Sequence, residues 1–211
     1  MRLLAIDTAA DLCAACVWDT EAGERGRCVL ELGKGHAERL MAVIDEALAK
    51  AGSTYADLGA IVVAVGPGSF TGVRVGVAAA RGLALALGVP AVGVTTLEAL
   101  ARQAREERPG HPVVARIEAG RGQAYVAAFS AAGELTFGPA ALALAAADEL
   151  VRDRRDTLLA AGKTADIAIY ARCGAEKLAA GEPPPKPKPL YLREADARPQ
   201  EGFALPRKTL P

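Results

Sequence analysis

The sequence predicts an α/β protein of two lobes, the first built on a mixed sheet and the second smaller. Three observations lead to this prediction: closely spaced apolar strands at the start, helical and strand patterns that then alternate, and a charged link in the middle of the chain. Apolar residues make up 51% of the 211 residues, enough for a folded core. Because aromatic residues make up only 4%, that core must consist mainly of Ala, Val and Leu.

Three strands open the chain, and a helix and a buried strand follow. Strands are predicted at residues 2–8, 12–20 and 26–32. The short turns between them are typical of an antiparallel meander. Residues 36–51 have apolar side chains at helical spacing, and Gly52 follows the pattern. The continuous apolar run at residues 60–65 predicts a strand buried on both faces.

The first half ends with two more helices around a short strand. Helices are predicted over residues 71–87 and near 97–105, with a strand at 91–94 between them. The order β-β-β-α-β-α-β-α predicts a mixed sheet with helices on its faces. The ribonuclease-H-like lobe of actin-like (ASKHA) proteins has this order.

A charged segment with Gly and Pro at residues 106–112 predicts the lobe boundary. The lobes expected on this basis are residues 1–106 and 107–211. Residues 113–118 and 123–130 predict a strand pair, and the patterns beyond them are weak. We therefore expect a smaller, degenerate second lobe.

Composition excludes some functions. Lys and Arg number 25, as do Asp and Glu, so the chain lacks the basic excess of an autonomous nucleic-acid binder. The apolar start is too short for a signal core and stops at Asp7. We expect a cytoplasmic protein that uses no membrane.

The cysteines and histidines do not predict a metal site. Cys13 and Cys16 form a C-x-x-C motif inside a predicted strand, where an offset of three places them on opposite faces. His36 lacks a second histidine four residues on, because that position is Leu40. Buried thiols in a reducing compartment, no bound metal and no nucleophilic catalysis are therefore expected.

A Gly-rich loop, Gly66-Pro-Gly-Ser-Phe-Thr-Gly72, joins a predicted strand to a helix, and two interpretations stay open. Such a loop can cradle a phosphate at a helix N-terminus. It can also be a tight turn with Ser69 or Thr71 as the helix cap. Val73 stands where a Walker A loop needs Lys, which argues against that nucleotide motif.

Asp7 and Thr8 end the first strand, where an actin-like lobe that handles nucleotides needs an acidic residue. A turn-forming role is the more frequent one for such a carboxylate. The residues of a vestigial nucleotide site would be Asp7, Thr8, Gly66, Gly68 and Ser69.

The helix after the loop carries a ridge of small residues. Gly72, Gly76, Ala80 and Ala84 recur every four residues. Because Gly inside a helix costs about 0.5–1 kcal/mol relative to Ala, Gly76 requires a packing reason. Arg74 and Arg81 are the only charges on this helix. The pattern predicts close docking of a partner helix, and packing wholly inside the monomer is the alternative.

Several segments resemble the TsaB (also called YeaZ) family of glycoprotease-like ASKHA proteins. They are the opening Leu-Leu-Ala-Ile-Asp-Thr8, His36 with its helix, the string Val-Gly-Pro-Gly-Ser-Phe-Thr-Gly-Val-Arg-Val-Gly76, and Pro-Leu-Tyr-Leu-Arg193. The resemblance is dense over residues 1–100 and patchy beyond them.

The resemblance implies a two-lobed actin-like fold and a role in making N6-threonylcarbamoyladenosine (t6A) at position 37 of tRNA. Members of this family are non-catalytic scaffolds that bind the catalytic paralogue TsaD, and the ATPase TsaE joins the pair. They form homodimers when alone. ATP and metal belong to the partners, and tRNA is reached only through the complex. The metal-binding His-x-x-x-His of TsaD corresponds here to His36 and Leu40.

The implied interface lies on the first two helices. Its expected residues are His36, Leu40, Val43, Ile44, Ala47, Gly72, Arg74, Gly76, Ala80, Arg81 and Ala84. The chain departs from the family pattern at Glu118-Ala-Gly-Arg121, where Asp-Ala-Arg is common. An actin-fold ATP-binding phosphotransferase or ATPase is the alternative function, and a peptidase is a third.

Overall fold

The structure is a computed structural model that describes residues 1–154, 156–181 and 184–193, and its strands form two sheets. The strands are β1 (Arg2–Asp7), β2 (Leu12–Asp19), β3 (Gly23–Glu31), β4 (Leu58–Ala64), β5 (Ala91–Val94), β6 (Val113–Gly120), β7 (Gln123–Phe129), β8 (Leu135–Ala143) and β9 (Leu158–Ala161). The helices are α1 (His36–Lys50), α2 (Phe70–Leu87), α3 (Thr96–Glu107), α4 (Leu144–Arg152) and α5 (Ile167–Ala179).

The first sheet has the strand order β3-β2-β1-β4-β5. Strands β1, β2 and β3 form an antiparallel meander, while β4 lies parallel to β1 and β5 parallel to β4. This is the mixed sheet that the order of elements predicts. The actin-like, ribonuclease-H-like fold class is confirmed.

Helices cover both faces of this sheet. Helices α1 and α2 lie side by side, with α1 on β2 and β3 and α2 mainly on β4, and α5 packs against β1 and β2. Cys13 and Cys16 both lie within β2, and side chains three positions apart on a strand point to opposite faces of the sheet. The predicted opposite orientation of the C-x-x-C pair is therefore confirmed. All four cysteines are buried and free.

The second sheet repeats the first in shortened form. Its order is β8-β7-β6-β9, with β6, β7 and β8 antiparallel and β9 parallel to β6 after the crossover through α4. The expected boundary after residue 106 falls between the two sheets along the chain. Packing does not follow that division, because α3 lies on β6 and β9 while α5 returns to the first sheet.

Helix α2 is unusually apolar for a helix at the surface. Its 18 residues have a mean hydropathy of 1.4, and a third of them are buried. Within the described residues it is the one helix that by length and composition could cross a membrane. A helix that packs on a sheet meets the same criterion, and α2 packs on β4 and β1.

Candidate functional site

The Gly-rich loop packs directly on the turn that follows β1. The Ser69 N–H donates to the Ala9 carbonyl at 2.6 Å, and the Thr8 hydroxyl donates to the Gly72 carbonyl at 2.7 Å. A Cβ atom added to Gly68 would lie 2.1 Å from the Ala9 carbonyl oxygen, and one added to Gly72 would lie 2.0 Å from that of Thr8. Glycine at these two positions therefore admits the chain's own backbone.

Helix α2 begins as a capped turn. The Ser69 side chain accepts a hydrogen bond from the Gly72 N–H at 3.2 Å, which favours the interpretation of the loop as a tight turn. Gly66 has a left-handed φ of +88°, and its carbonyl accepts from the Thr96 N–H at the start of α3. The loop thus connects β4, α2 and α3.

Asp7 lies at the centre of a buried polar network that joins the two halves of the chain. Its side chain accepts from the Ala9 N–H at 2.8 Å and from the Thr164 hydroxyl at 2.5 Å. Thr164 in turn contacts the Tyr170 hydroxyl at 2.8 Å. Burial raises the pKa of Asp7 above its usual value, and the hydrogen bonds from Thr164 and Ala9, together with the electrostatic influence of His36, oppose the rise. Both carboxylate oxygens are already bonded within the chain.

The small-residue ridge of α2 faces the inside of the protein. Gly72, Gly76, Ala80 and Ala84 are all buried, and a Cβ atom on Gly76 would lie 2.5 Å from the Thr8 hydroxyl oxygen. The expectation that this ridge receives a partner helix is corrected, because it is the face that packs on the sheet. Close approach to a strand requires the same small residues as close approach to a helix.

The expected interface residues of α1 are also core residues. Leu40, Val43, Ile44 and Ala47 are almost fully buried, and α1 packs with β2 and β3. These four residues are therefore corrected from interface to core. The apolar stripe of an amphipathic helix marks its buried side, and here that side faces the helix's own sheet.

His36 is buried at the N-terminus of α1, with 8% of its surface exposed. Its Nε2 atom has no hydrogen-bond partner among the described residues. The described part of the chain also contains no group of three or more His, Cys, Asp or Glu side chains that could hold a metal ion. His36 therefore belongs to the packed interior and not to an accessible face.

The opposite side of α2 is exposed and mainly apolar. Arg74 and Arg81 lie on it, as expected for residues available to a partner. Leu85 is 85% exposed, and Met41 on the neighbouring α1 is 45% exposed. Exposed residues of α2 form what we call the outer face: Arg74, Ala78, Arg81, Gly82, Leu85 and Ala86. Apart from Arg74 and Arg81, the residues of this face were not predicted, although the apolar positions that remain between the buried ones indicate it.

An arginine held by two aromatic rings lies where α2 begins. The guanidinium carbon of Arg74 is 3.7 Å from the centroid of the Phe70 ring, and its Nε donates to the Tyr191 hydroxyl at 2.7 Å. The two ring centroids are 5.3 Å apart. Phe70 and Tyr191 are each 48% exposed, so the cluster reaches the surface.

A cleft of about 280 Å³ separates the Gly-rich loop from the second sheet. Gly68 and Ser69 line one wall, and Glu118, Tyr125 and Lys163 line the other. Lys163 pairs with Asp11 across the cleft. Of the predicted nucleotide-site residues, Gly68 and Ser69 line this cleft, whereas Asp7, Thr8 and Gly66 are buried.

The chain is similar to proteins of a known family. The family model described as "TsaD: tRNA N6-adenosine threonylcarbamoyltransferase" matches residues 31–180. The chain belongs to this family. Its relatives include an uncharacterized protein of Mycobacterium tuberculosis that is 37% identical over 209 residues, or 93% of this chain and 94% of that protein.

TsaB and YeaZ proteins are among its relatives. The Escherichia coli "tRNA threonylcarbamoyladenosine biosynthesis protein TsaB" is 37% identical over 131 residues, or 61% of this chain. The chain spans about half the length of the TsaB relatives, 55% of that protein and 52% of the Haemophilus influenzae one. A structure of "YeaZ from Pseudomonas aeruginosa" superposes with a TM-score of 0.74 at 25% identity, over 90% of this chain and 99% of that one. The expected resemblance to TsaB and YeaZ is confirmed.

Proposed function

We propose that this chain is a non-catalytic subunit of t6A biosynthesis that binds a TsaD-like threonylcarbamoyltransferase. The observation that carries the proposal is the exposed apolar outer face of α2, where Leu85 is 85% exposed. In the full proposal a TsaE-like ATPase joins the pair, the chain forms a homodimer when alone, and it contacts tRNA only through the complex. ATP and metal belong to the partners, and the complex works in the cytoplasm.

The outer face has the composition of a protein interface. Burial of one exposed Leu side chain stabilises a complex by about 1.5–3 kcal/mol, so a partner that covers Leu85 would gain binding free energy. Arginine is enriched at such interfaces, and Arg74 and Arg81 flank the apolar positions. Gly82 has no atom within 4 Å of where its Cβ would lie, so another backbone can approach closely there.

The family relationship indicates which partner covers the outer face. Relatives of this chain include both TsaB proteins and proteins named "tRNA N6-adenosine threonylcarbamoyltransferase", one of them 52% identical over 64 residues. The chain therefore shares its ancestry with the enzyme that we assign as its partner. Two paralogues of one fold can present related helices to each other, and this supports a TsaD-like protein as the molecule that covers α2.

Two observations weigh against an ATP-binding enzyme, the alternative function. Asp7 is 1% exposed and its carboxylate is bonded to Ala9 and Thr164, so a nucleotide-bound metal would have to displace both partners. The loop glycines contact backbone atoms of Thr8 and Ala9 where a phosphate would have to enter. Calorimetry with Mg-ATP tests this alternative, which micromolar binding to the lone chain, lost in Asp7→Asn, would support.

The binding proposal is tested by mixing the chain with the TsaD-like protein of the same organism. We expect a heterodimer in size-exclusion chromatography with light scattering, and t6A formation by the TsaD-like protein that depends on this chain. The variant Leu85→Glu places a charge on the outer face and should weaken the heterodimer at least tenfold. Its matched control is Leu135→Glu on β8, since Leu135 is also exposed, at 52%.

The outcomes separate clearly. A heterodimer that Leu85→Glu weakens and Leu135→Glu leaves intact supports the proposal. Equal affinity for both variants would move the interface away from α2. Failure of the wild-type chain to bind any TsaD-like protein would contradict the proposed function itself.

A further inference from the structure

We propose that Phe70 and Tyr191 hold Arg74 as a preset anchor for a carboxylate on the partner. This inference rests on the proposed function and adds to it the residue that contacts the partner and the two residues that position it. Its basis is the geometry at the start of α2, where one guanidinium is fixed by a ring below it and a hydroxyl beside it.

The two aromatic residues fix different features of the arginine. The Phe70 ring lies 3.7 Å from the guanidinium carbon and so sets the plane of the group. The Tyr191 hydroxyl accepts from Nε at 2.7 Å and so sets the rotation within that plane. The remaining N–H groups, on the two terminal nitrogens, form the planar fork that matches a carboxylate.

Nothing in the described part of the chain neutralises this fork. No Asp or Glu among the described residues lies within ion-pair distance of Arg74. Arg27, Arg102, Arg116 and Arg172, in contrast, each pair with a carboxylate. An exposed, oriented and unpaired guanidinium beside an apolar face is complementary to an acidic side chain at the edge of a partner's apolar surface.

Tyr191 reaches α2 from the far end of the chain. The Leu190 N–H donates to the Val65 carbonyl at 2.8 Å, which fastens this segment to the end of β4. Three residues beyond Leu190, Arg193 donates to Gln123 of the second sheet at 3.3 Å. The segment therefore spans both lobes, and the position of Tyr191 depends on their arrangement.

Preset geometry reduces the entropy lost when the partner binds. A free arginine side chain carries about 2 kcal/mol of rotamer entropy, part of which a binding event must remove. Because the two aromatic residues have already removed some of it, Arg74 can act as a strong contact although it is exposed. Phe70 and Tyr191 are positioning residues in this arrangement, and Arg74 is the residue that touches the partner.

The test measures the affinity of the full chain for the TsaD-like protein by calorimetry, with the unfolding temperature of each variant alone recorded beside it. We expect Arg74→Ala to weaken binding about 30-fold or more, as for a central interface residue. Arg74→Lys should recover little of this, because lysine keeps the charge and lacks the planar fork. The matched control is Arg25→Ala, an exposed arginine on β3 that should leave affinity unchanged.

Tyr191→Phe tests the positioning role. It removes the hydroxyl that accepts from Arg74 while it keeps the ring, and we expect affinity to fall about 3- to 10-fold at an unchanged unfolding temperature. In the Arg74→Ala background the same change should have no further effect on affinity. Arg74→Ala should also reduce the salt dependence of binding, whereas Tyr191→Phe should not, because only the former removes a charge.

Three results would overturn the inference. One is wild-type affinity in Arg74→Ala or in Arg74→Lys. Another is a loss in Tyr191→Phe that persists in the Arg74→Ala background, which would mean that Tyr191 acts without the arginine. The third is a heterodimer that forms normally while both Arg74 variants weaken only the homodimer, which would assign the anchor to a second copy. Absence of any wild-type heterodimer would instead contradict the proposed function.

Discussion

Single residues in this chain owe their chemistry to the second half of the fold. Asp7 ends β1 as a turn-forming aspartate would, and its Oδ1 accepts from the Ala9 N–H. Its other oxygen is satisfied by Thr164, more than 150 residues away in sequence. Tyr170, the largest fully buried side chain among the described residues, continues the network from α5. The carboxylate thus serves as a contact between lobes.

Asp7→Asn is expected to stabilise the protein at neutral pH. The pKa of Asp7 is raised in the folded state, so between the unfolded value of 3.8 and the higher folded value the native protein binds the extra proton. Stability therefore falls as pH rises through that window, and each unit of pKa elevation corresponds to about 1.4 kcal/mol. Urea unfolding at pH 4 and pH 7.5 should give a flatter pH dependence for Asp7→Asn. The exposed Glu21→Gln serves as control, and a steeper dependence in Asp7→Asn would contradict the assignment.

The buried thiols should be inert in the native protein. Burial raises the pKa of Cys13 to about 11 and those of Cys16 and Cys173 to about 12. Because the thiolate is the reactive form, we expect almost no reaction with a disulfide reagent at pH 7.5. In guanidinium all four cysteines should react within minutes. Rapid labelling of a native thiol would show that its strand opens locally.

At the scale of elements, α2 has two faces of small residues with different roles. The inner face, with Gly76 and Ala80, lies against the sheet, and the outer face, with Ala78 and Gly82, is open. The spacing in the sequence predicts the inner ridge as the partner-binding face, a role that belongs to the outer face in our proposal. Periodicity could not distinguish them, because both follow the same helical spacing and both consist of Gly and Ala.

Alanine substitutions at Gly76 and Gly82, both within α2, should change the free energy of unfolding in opposite directions. Gly76→Ala puts a methyl group 2.5 Å from the Thr8 hydroxyl and is expected to destabilise by about 1–3 kcal/mol. Gly82→Ala meets no atom within 4 Å and should stabilise by about 0.5–1 kcal/mol, the ordinary gain of Ala over Gly in a helix. Free energies of urea unfolding compare the pair directly. The same sign for both would mean that helix propensity, and not contact with Thr8, decides their effect.

In the whole molecule, each half of the chain contributes a helix that packs on the sheet of the other half. Helix α3, which follows the strands of the first sheet, packs on β6 and β9 of the second. Helix α5, which follows the strands of the second sheet, packs on β1, β2 and β5 of the first. Ion pairs support the exchange: Arg102 of α3 pairs with Glu176 of α5, and Arg27 of β3 pairs with Asp166 just before α5. Neither sheet has both faces covered by its own half of the sequence.

A fragment of residues 1–106 is therefore expected not to fold alone. Without α5 the sheet would expose the surface that Ile167 and Tyr170 cover, both nearly fully buried in the intact chain. Limited proteolysis and near-ultraviolet circular dichroism of the fragment should report an open, unpacked state. Addition of the second half, residues 107–211, as a separate chain should restore native signals. A fragment that unfolds cooperatively by itself would contradict this account.

The sequence by itself determined the strands, the helices and the order that leads to an actin-like fold. It did so because local periodicity and turn residues act over a few positions, as at the Ser69 cap of α2 and at the alternating cysteines of β2. Its motifs also carried the family resemblance, since the string from Val65 to Gly76 combines a turn, a cap and a packing ridge.

Only the tertiary structure decided which side of each helix is free. A pattern of apolar or small residues identifies a face that packs, and it does not say whether its partner is the chain's own sheet or another protein. Long-range contacts such as Thr164 with Asp7 and Tyr191 with Arg74 were equally beyond the sequence, because the residues are more than 100 positions apart. The surface assigned to a partner therefore moved from the ridge at Gly76 to the opposite side of the same helix, around Arg74 and Leu85.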